Sequence, residues 1–484
     1  MAEIKDIKQI EEAIWEIPTS YKKGMRVPAR IVATEKLLKE LDQGVAEQVT
    51  NMACLPGIVK HAMCMSDAHW GYGAPIGGVA AFDIENEGVI SPGIIGFDIN
   101  CGMKTLLTNL TIKDVQPKIK ELVDTLFKLV PAGVGCKGFV KLNKQQFKEI
   151  TENGSRWCIE NGYGWEEDLE RTESYGKIDW ADSSKVHERA ISRGINQLGT
   201  LGSGNHYLEI QYIKEEEIFD KKAATKLGIS PNQIVVTVHC GSRGFGHEIA
   251  TNYLKIFDSA MKKYNITVND RELACAPFYS NEGQDYYKAM ACAANMAFAN
   301  RQVILHKIRE GFSLVFKKTA EDLGIHSLYD VAHNVGKIEE HKVDGKKKKL
   351  LVHRKGATRA FPPGHEELAP IFRDIGQVCI LGGSMETGSA LLLGTKEAEK
   401  TFYTTAHGSG RVMSRTKAKQ IVRGDVLQKE MLKKGIYVKS TSMSGLAEEF
   451  GGAYKNLGDV IDAVTKAKIS RPLVIMHPLG NVKG

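Results

Sequence analysis

The alternation of apolar and polar positions along the chain predicts a mixture of helices and strands. Apolar residues recur every three to four positions over 112–129, which predicts an amphipathic helix. Similar patterns predict helices at 33–41, 184–197, 247–264, about 415–434, 446–455 and 460–468. Residues 280–312 form one long helix or two, and residues 4–17 suit a short helix or an edge segment.

Short apolar runs predict the strands. Residues 234–238, Ile-Val-Val-Thr-Val, are typical of a buried strand because all of them are β-branched. Further runs predict strands at 206–210, 328–331, 378–381 and 473–476. Residues 130–182 are polar and lack such a pattern, so we interpret them as an irregular elaboration of the core.

Three histidines stand at the ends of these strands: His206, His239 and His333. Asp98 and Cys101 lie three residues apart in a glycine-flanked stretch. Imidazole, thiolate and carboxylate together suit borderline metals such as Zn or Mn, and five such ligands suffice for two ions. The ligands are too far apart in sequence for a local motif, so the site depends on folding. Alternatively, Cys101 is a small buried apolar residue and Asp98 a turn residue.

A histidine beside flexible backbone provides a candidate nucleophile. His407 opens the stretch His-Gly-Ser-Gly-Arg, and Arg411 and Arg415 stand one helical turn apart behind it. Neutral imidazole can attack a phosphoryl group while guanidinium groups hold its oxygens. The glycine- and serine-rich stretch 382–389 follows a predicted strand and suits a nucleotide. The competing interpretation is that His407 is a core or capping histidine.

Two further glycine-rich stretches carry histidines. Asp67 and His69 precede a run of glycines and a proline, which predicts a loop whose backbone passes close to another group. His239 ends a strand and leads through a Gly/Ser/Arg loop into a helix at His247, a setting for a metal ligand beside an anion pocket. A plain turn in the first case, and a helix cap in the second, are the alternatives.

The basic segments have two possible uses. Lys342-Val343-Asp344-Gly345 matches the Lys-x-Asp-Gly signature of lysine-adenylylating nucleotidyl transferases, but Asp-Gly between two strand-like arms is also a hairpin signal. We favour a basic hairpin over about 337–355. The next stretch, 353–359, contains three cationic residues and few apolar ones, and we interpret it as a phosphate clamp.

Composition narrows the class of protein. The nine cysteines are scattered and include no Cys-x-x-Cys pair, which argues against a disulfide framework and favours a reducing, cytoplasmic location. No apolar run reaches the roughly 20 residues of a membrane helix, and the N-terminus lacks a signal-peptide pattern. The formal charge of +7 permits an anionic partner such as RNA. A length of 484 residues suggests about three domains as a first guess.

Six ordered motifs together resemble the RtcB family of RNA ligases, and an archaeal member most of all. They are Asp-Ile-Asn-Cys-Gly-Met at 98–103, Gly-Ser-Gly-Asn-His-Tyr-Leu-Glu at 202–209, His-Cys-Gly-Ser-Arg-Gly at 239–244, Ala-His-Asn at 332–334, His-Arg-Lys-Gly-Ala-Thr-Arg at 353–359 and His-Gly-Ser-Gly-Arg at 407–411. The resemblance implies a single α+β domain over 1–484, with a two-sheet β core surrounded by helices. That expectation replaces the length-based guess.

The resemblance also implies an activity. A GTP- and manganese-dependent ligase would join RNA ends bearing a 2′,3′-cyclic phosphate or 3′-phosphate to 5′-hydroxyl ends, in tRNA splicing and RNA repair. In the family scheme, the histidine matching His407 is guanylylated, GMP passes to the RNA 3′-phosphate to give RNA-(3′)pp(5′)G, and the 5′-hydroxyl displaces GMP. A small activating protein, archease, would be the partner, and no membrane is involved.

Site residues are carried over by motif. One manganese ion would take Asp98, Cys101 and His206, and the other Cys101, His239 and His333. Guanylate contacts would come from Asn205, His206, Glu209, His333, Asn334, Gly382, Gly383, Ser384, Met385, Ser389, His407, Gly408, Ser409, Gly410 and Lys483. Glu209 would contact the guanine edge, and Asp67 would assist the 5′-hydroxyl.

Three residues depart from the family pattern: Cys240, Glu386 and Ser409. Of these, Glu386 places a charge inside the nucleotide loop and puts the strength of GTP binding in doubt. Two other functions fit the same residues. A metal-dependent phosphoesterase or nuclease would use the ligands on water without a nucleotide, and a catalytically silent RNA-binding protein would show salt-sensitive binding without metal dependence.

Overall fold

The computed structural model describes residue 4 and residues 6–484, and it is an α+β structure, as predicted. The strands in chain order are β1 Lys8–Glu11, β2 Ile14–Ile17, β3 Ala29–Val32, β4 Ala62–His69, β5 Ile76–Asp83, β6 Val89–Ile90, β7 Gly102–Thr111, β8 Tyr207–Ile218, β9 Gln233–Cys240, β10 Ala276–Pro277, β11 His326–Ala332, β12 Asn334–Val343, β13 Lys346–Lys355, β14 Ala357–Arg359, β15 Val378–Gly382, β16 Ser389–Gly394, β17 Thr404–Ala406, β18 Tyr437–Ser440 and β19 Ser470–Lys483.

The helices surround these strands. In chain order they are α1 Glu35–Lys39, α2 Gln43–Met52, α3 Ile112–Val115, α4 Ile119–Leu129, α5 Lys144–Asn153, α6 Ser155–Glu160, α7 Glu167–Glu170, α8 Glu188–Gly194, α9 Lys221–Leu227, α10 Arg243–Lys263, α11 Asn281–Phe316, α12 Pro370–Arg373, α13 Arg415–Ile421, α14 Gly424–Lys433, α15 Met443–Glu448 and α16 Leu457–Lys466. No helix in the described part of the chain combines the length and apolar character that a membrane span requires.

Two large sheets carry most of the strands in residues 6–484. The seven-stranded sheet has the order β1-β2-β3-β4-β5-β13-β12. The eight-stranded sheet has the order β11-β7-β9-β8-β19-β16-β15, with β18 paired to β19. The predicted two-sheet core is not confirmed in full, because β6 with β10 and β14 with β17 form two further small sheets.

Helix α11 is one continuous helix rather than two, and most of its length is buried. Its many alanines let other helices approach closely, and α4, α5, α6 and α10 all pack against it.

The segment 130–182 is less irregular than predicted, because it contains the short helices α5, α6 and α7. These helices are short and keep one polar face in solvent, which explains why their apolar pattern is faint.

Several predicted helices are interrupted in the structure. The helix expected at 112–129 breaks at Gln116–Lys118, where Pro117 supplies no backbone N–H. The helix expected at about 415–434 divides into α13 and α14 because Val422 and Arg423 adopt extended backbone. The segments 184–197 and 446–455 are helical only over α8 and α15. Residues 8–17 form β1, at the edge of the seven-stranded sheet, and β2 beside it, while Lys5 lies outside the described residues.

The strand predictions hold for residues 234–238, 328–331 and 378–381, which lie in β9, β11 and β15. The predicted strand at 473–476 extends much further, so that β19 continues to Lys483. The basic hairpin is confirmed: β12 and β13 meet at Asp344 and Gly345, whose φ values of 50° and 77° suit a two-residue turn of type I′. The glycine-rich run after Asp67 and His69 forms the predicted loop, over 70–75, and passes close to the backbone of Glu272, whereas Asp67 and His69 themselves lie in β4.

Candidate active site and metal centre

Both large sheets contribute to one cavity of about 660 Å³. Residues from all six motifs lie in its wall, with Gly356 as the contribution of 353–359, together with residues from near the C-terminus. Members of the predicted sites that line it are Asp98, Cys101, Asn205, His206, His239, His333, Asn334, Gly382, Gly383, Ser384, Met385, His407, Gly408, Ser409, Gly410 and Lys483.

Strand register brings the predicted metal ligands to one edge of the eight-stranded sheet. Gly102, the first residue of β7, pairs with Cys240 at the end of β9 and with Ala332 at the end of β11. The first residue of β8, Tyr207, pairs with His239. Antiparallel pairing therefore places the residues next to these ends side by side, although they are far apart in sequence.

The ligand atoms of this edge meet at short distances. Cys101 Sγ lies 3.2 Å from Nε2 of His206 and 3.2 Å from Nε2 of His239. The Nε2 atoms of His239 and His333 are also 3.2 Å apart, and Asp98 Oδ2 lies 3.0 Å from Nε2 of His206. Two groups therefore form around the shared thiol, Asp98–Cys101–His206 and Cys101–His239–His333. The five predicted ligands are brought together in the two predicted sets.

The chemistry of this cluster fits a bound cation. Burial lowers the pKa of His239 and of His333 well below the usual range, so both rings are neutral at pH 7. Each ring then has one proton and one lone pair, and the backbone oxygen of Asn205, 3.1 Å from Nδ1 of His239, accepts the proton of that ring. Its Nε2 lone pair faces the other donors. Imidazole nitrogens, a thiol and a carboxylate that converge in this way form a donor set that suits a borderline cation.

His407 is held by Asp67. The two side chains meet at 2.7 Å between Nδ1 of His407 and Oδ2 of Asp67, and the same oxygen accepts the backbone N–H groups of His407 and Gly408 at 3.1 and 3.2 Å. Asp67 is fully buried. Because Nδ1 carries the proton that Asp67 accepts, the lone pair of the ring is on Nε2. The centroids of the His407 and His333 rings are 4.5 Å apart, so His407 lies next to the group of candidate metal ligands.

The backbone on either side of His407 is also close-packed. Gly410 has a φ of 71°, and a Cβ atom there would lie 2.0 Å from the backbone oxygen of Asp67. The backbone N–H of Ser409 donates to the Gly382 oxygen at 2.7 Å, and the N–H of Gly382 donates to the His407 oxygen at 3.0 Å. These bonds join the predicted nucleotide loop to the histidine segment. The Ser409 hydroxyl is buried and has no hydrogen-bond partner.

Three predicted site residues lie behind the cavity wall rather than in it. Asp67 faces His407, as described above. Glu209 is buried, and its carboxylate accepts hydrogen bonds from Gln211 at 2.6 Å and from Asn481. Burial raises the pKa of Glu209 to about 7. Ser389 lies 3.2 Å from the Tyr207 hydroxyl, between their side-chain oxygens.

The predicted phosphate clamp at 353–359 is wrong, because its cations are buried and paired within the protein. The Arg354 guanidinium donates to both carboxylate oxygens of Glu339, at 2.6 and 2.8 Å. The Lys355 ammonium donates to backbone oxygens, including that of Gly93 at 3.0 Å. Arg359 is paired with Glu367 at 2.8 Å. No charge of this segment is left for a phosphate.

Glu386 does not bring its charge into the cavity. Its carboxylate accepts the backbone N–H of Gly451 at 2.8 Å and forms an ion pair with Lys434. The charge of Glu386 is therefore bound within the protein and lies outside the cavity wall. Lys342, the lysine of the nucleotidyl-transferase signature, lies exposed in the hairpin and does not line the cavity.

The cavity wall also contains residues that the sequence did not indicate. Glu449 accepts from Arg411 at 3.2 Å and lies 3.5 Å from the Lys483 ammonium, and its carboxylate bonds to the Tyr454 hydroxyl. Of these residues, the sequence indicated Arg411 as a candidate phosphoryl-binding residue and the family resemblance implied Lys483, but neither indicated Glu449 or Tyr454. No local signal could have identified Glu449, because one glutamate on a helix is most often a solvated residue.

Comparisons with known proteins agree with this geometry. Residues 48–484 match the family model described as tRNA-splicing ligase RtcB. Proteins named tRNA-splicing ligase RtcB are 51% identical in Archaeoglobus fulgidus over 99% of both chains, and 49% identical in Thermococcus kodakarensis over the full length of both. One from Methanococcus maripaludis is 50% identical over 99% of both chains. On this similarity and the match over most of its length, the chain belongs to the RtcB family.

Proposed function

We propose that this protein is an RNA ligase that uses GTP and two manganese ions. It would join RNA ends carrying a 3′-phosphate or 2′,3′-cyclic phosphate to 5′-hydroxyl ends, in tRNA splicing and RNA repair. Relatives about half identical to it are named tRNA-splicing ligases. The observation that carries the proposal is His407, which is oriented by Asp67 beside a cluster of five metal-type ligands.

The first step uses the Nε2 lone pair of His407. Nε2 attacks the α-phosphorus of GTP, a P–N bond forms, and the bond to pyrophosphate breaks. The ring gains positive charge in this step, and the buried Asp67 carboxylate stabilises it through the hydrogen bond to Nδ1. This assigns Asp67 to orienting the histidine. Oδ2 accepts three hydrogen bonds, from the His407 ring and from the N–H groups of His407 and Gly408, which supports this role over assistance to the 5′-hydroxyl.

The following steps pass the guanylate to RNA and then remove it. An oxygen of the RNA 3′-phosphate attacks the phosphorus on His407, the P–N bond breaks, and a phosphoanhydride forms. The 5′-hydroxyl then attacks the 3′-phosphorus, GMP leaves, and the hydroxyl proton passes to a base. A 2′,3′-cyclic phosphate first takes up water to become a 3′-phosphate. The anhydride is needed because GMP is a far better leaving group than an oxygen of a simple phosphate ester.

The cavity residues divide between cation and nucleotide. Asp98, Cys101 and His206 would hold one manganese ion, and Cys101, His239 and His333 the other, and bound ions would supply Lewis-acid stabilisation of phosphoryl charge. Burial raises the pKa of the Cys101 thiol to about 12, so binding of a cation must displace its proton. Lys483 and Arg415 bring positive charge to the same cavity, where the nucleotide phosphates would lie.

Incubation with GTP labelled on the α-phosphate, with manganese, tests the proposal. The denatured wild-type protein should keep the label, and His407→Ala should keep none, because the P–N bond has no other donor. Lys342→Ala is the matched control and should be labelled like the wild type, since this lysine lies in the exposed hairpin. Label that persists in His407→Ala and disappears in Lys342→Ala would overturn the proposal.

A second assay separates the ligase from a metal-dependent phosphoesterase. RNA with a 2′,3′-cyclic phosphate and RNA with a 5′-hydroxyl should be joined only when both GTP and manganese are present. Hydrolysis of the cyclic phosphate without GTP, together with no joined product when GTP is present, would favour the phosphoesterase.

The family resemblance also leads us to propose archease as an activating partner, which should raise the rate of joining when it is added.

A further inference from the structure

An exposed tryptophan stands at the rim of the cavity. Trp70 directly follows His69, the last residue of β4, and both residues line the cavity. Trp70 is 57% exposed, whereas the other tryptophans of the described chain are buried or half-buried. Leaving a large aromatic ring in water forgoes the stabilisation that its burial would give. An exposed ring next to a binding cavity is therefore a candidate ligand contact.

The ring of Trp70 is held in place from one side. It packs against Gly44 near the start of α2, so closely that a Cβ atom at Gly44 would lie 1.7 Å from ring atom Cε3. The next residue, Gly71, is fixed to Gln48 by two hydrogen bonds, one from the Gly71 N–H to Oε1 at 3.1 Å and one from the Gln48 amide to the Gly71 oxygen. The exposed area therefore belongs to the opposite face and the outer edge of a ring that is already ordered.

Two polar groups near Trp70 are bonded within the protein. The Asp42 carboxylate accepts the backbone N–H of Gly44, against which the ring packs, at 2.8 Å. Lys455, on the same cavity wall, donates to the backbone oxygens of Ser66 and Ala68. A flat apolar ring face suits a nucleobase, because every base has a π-face and stacks without regard to sequence.

We propose that Trp70 stacks on a nucleobase next to the RNA end that is being joined. The inference rests on the proposed function and names a contact for its RNA substrate. An RNA terminus that reaches His407 must pass the rim, and its own base or the adjacent one then lies within reach of the ordered ring. Stacking of this kind holds single-stranded ends, whose bases are free of a duplex. Trp70 is thus a positioning residue for RNA.

Substitution at Trp70 should separate RNA binding from the nucleotide step. Trp70→Ala should raise the KM for RNA by about 5- to 100-fold, the effect of losing one stacked base. Trp70→Phe should retain most of the affinity, and the rate and extent of labelling by GTP should be unchanged in both. Phe219→Ala is the matched control, because Phe219 is 53% exposed but does not line the cavity. It should behave like the wild type.

An RNA that lacks the base supplies the decisive comparison. When the terminal nucleotide and its neighbour carry no base, the wild type and Trp70→Ala should bind the RNA equally. Removing the base and removing the ring abolish the same contact, so their effects on affinity should not add. Testing the abasic sites on the 3′-phosphate strand and on the 5′-hydroxyl strand separately shows which end is stacked. Tryptophan fluorescence should be quenched by the intact oligonucleotide in the wild type and much less in Trp70→Phe.

The outcomes distinguish this inference from the proposed function. If the wild-type protein takes no label from GTP and joins no RNA, the proposed function fails. If the wild type labels and joins but Trp70→Ala has an unchanged KM for RNA, only the stacking inference fails. A raised KM for GTP in Trp70→Ala, with an unchanged KM for RNA, would also overturn it, because the ring would then contact the guanine.

Discussion

The segments 353–359 and 407–415 have similar compositions, yet the folded chain uses them differently. Both contain a histidine and two arginines, and both were interpreted from sequence as phosphate-binding. In the first segment Arg354 and Arg359 are buried and paired with glutamates. In the second, Arg411 is likewise paired with a glutamate, but His407 opens into the cavity and Arg415 remains half-exposed at its wall.

The difference lies in the partners that the fold supplies. Glu339 lies on β12, the neighbour of β13 in the sheet, and its carboxylate accepts two hydrogen bonds from the long Arg354 side chain, although the register pairs Arg354 with Val335. Asp67 reaches His407 from β4 but binds only its Nδ1 side, which leaves Nε2 free to react. Buried polar groups that satisfy each other are structural, whereas groups satisfied on one side only are available for chemistry. Composition cannot distinguish the two cases.

The largest expected effect is on the histidine segment. Asp67→Asn should slow labelling by GTP by about 10⁴-fold, the size of loss typical when an amide replaces a carboxylate that orients a catalytic histidine. The fold should survive, because the amide is nearly isosteric. Asp83→Asn is the control, since Asp83 is buried but bonded to Lys348 away from the cavity, and it should label normally. If Asp67→Asn were labelled at the wild-type rate, the hydrogen bond from His407 to Asp67 would not prepare the histidine for reaction, and the contrast between the two segments would be incorrect.

The next effect concerns the structural segment. Glu339→Ala should lower the free energy of unfolding by about 3–5 kcal/mol, because it leaves the Arg354 charge buried without a partner. Urea denaturation measures this. Glu340→Ala is the matched control, because its exposed ion pair with Lys347 contributes about 0–1 kcal/mol. If both substitutions lowered the free energy of unfolding equally, the buried pair of Glu339 and Arg354 would contribute no more to stability than an exposed ion pair.

Manganese should stabilise the protein through the ligand cluster. At 100 times its Kd, the ion should raise the free energy of unfolding of the wild type by about 2.7 kcal/mol for a single site. Cys101→Ala removes the thiol shared by both ligand groups and should abolish the increase. Cys64→Ala controls for loss of a buried thiol, since Cys64 lies outside both groups. An undiminished increase in Cys101→Ala would exclude the cluster as the binding site.

The smallest expected effect is at Ser409. If its partnerless hydroxyl donates to the nucleotide, Ser409→Ala should raise the KM for GTP by up to about fivefold, or 1 kcal/mol. The same change should leave the free protein no less stable, because it removes a buried hydroxyl that bonds to nothing. Steady-state kinetics and thermal unfolding test both parts. An unchanged KM for GTP would show that the Ser409 hydroxyl does not contribute to nucleotide binding.

Predictability from sequence varied with the range of the interactions. The buried strand at 234–238 and the Asp-Gly hairpin followed from local pattern, because side-chain branching and turn geometry act over a few residues. The length of β19 did not, since its pairing with β8, β16 and β18 holds residues that have no clear strand pattern. The division between α13 and α14 did not follow either, because the helical pattern does not reveal the extended backbone of Val422 and Arg423.

The sequence by itself determined the set of candidate residues in this protein: the ligand types, the candidate nucleophile His407, the glycines beside it, and the family that their order indicates. Only the tertiary structure decided which side chains are available. The segment at 353–359 lost its assigned role, Asp67 was placed behind His407, and Glu386 was turned onto Gly451 and Lys434. The reason is that the burial and pairing of a polar group depend on residues brought together by strand register, which no local stretch of sequence records.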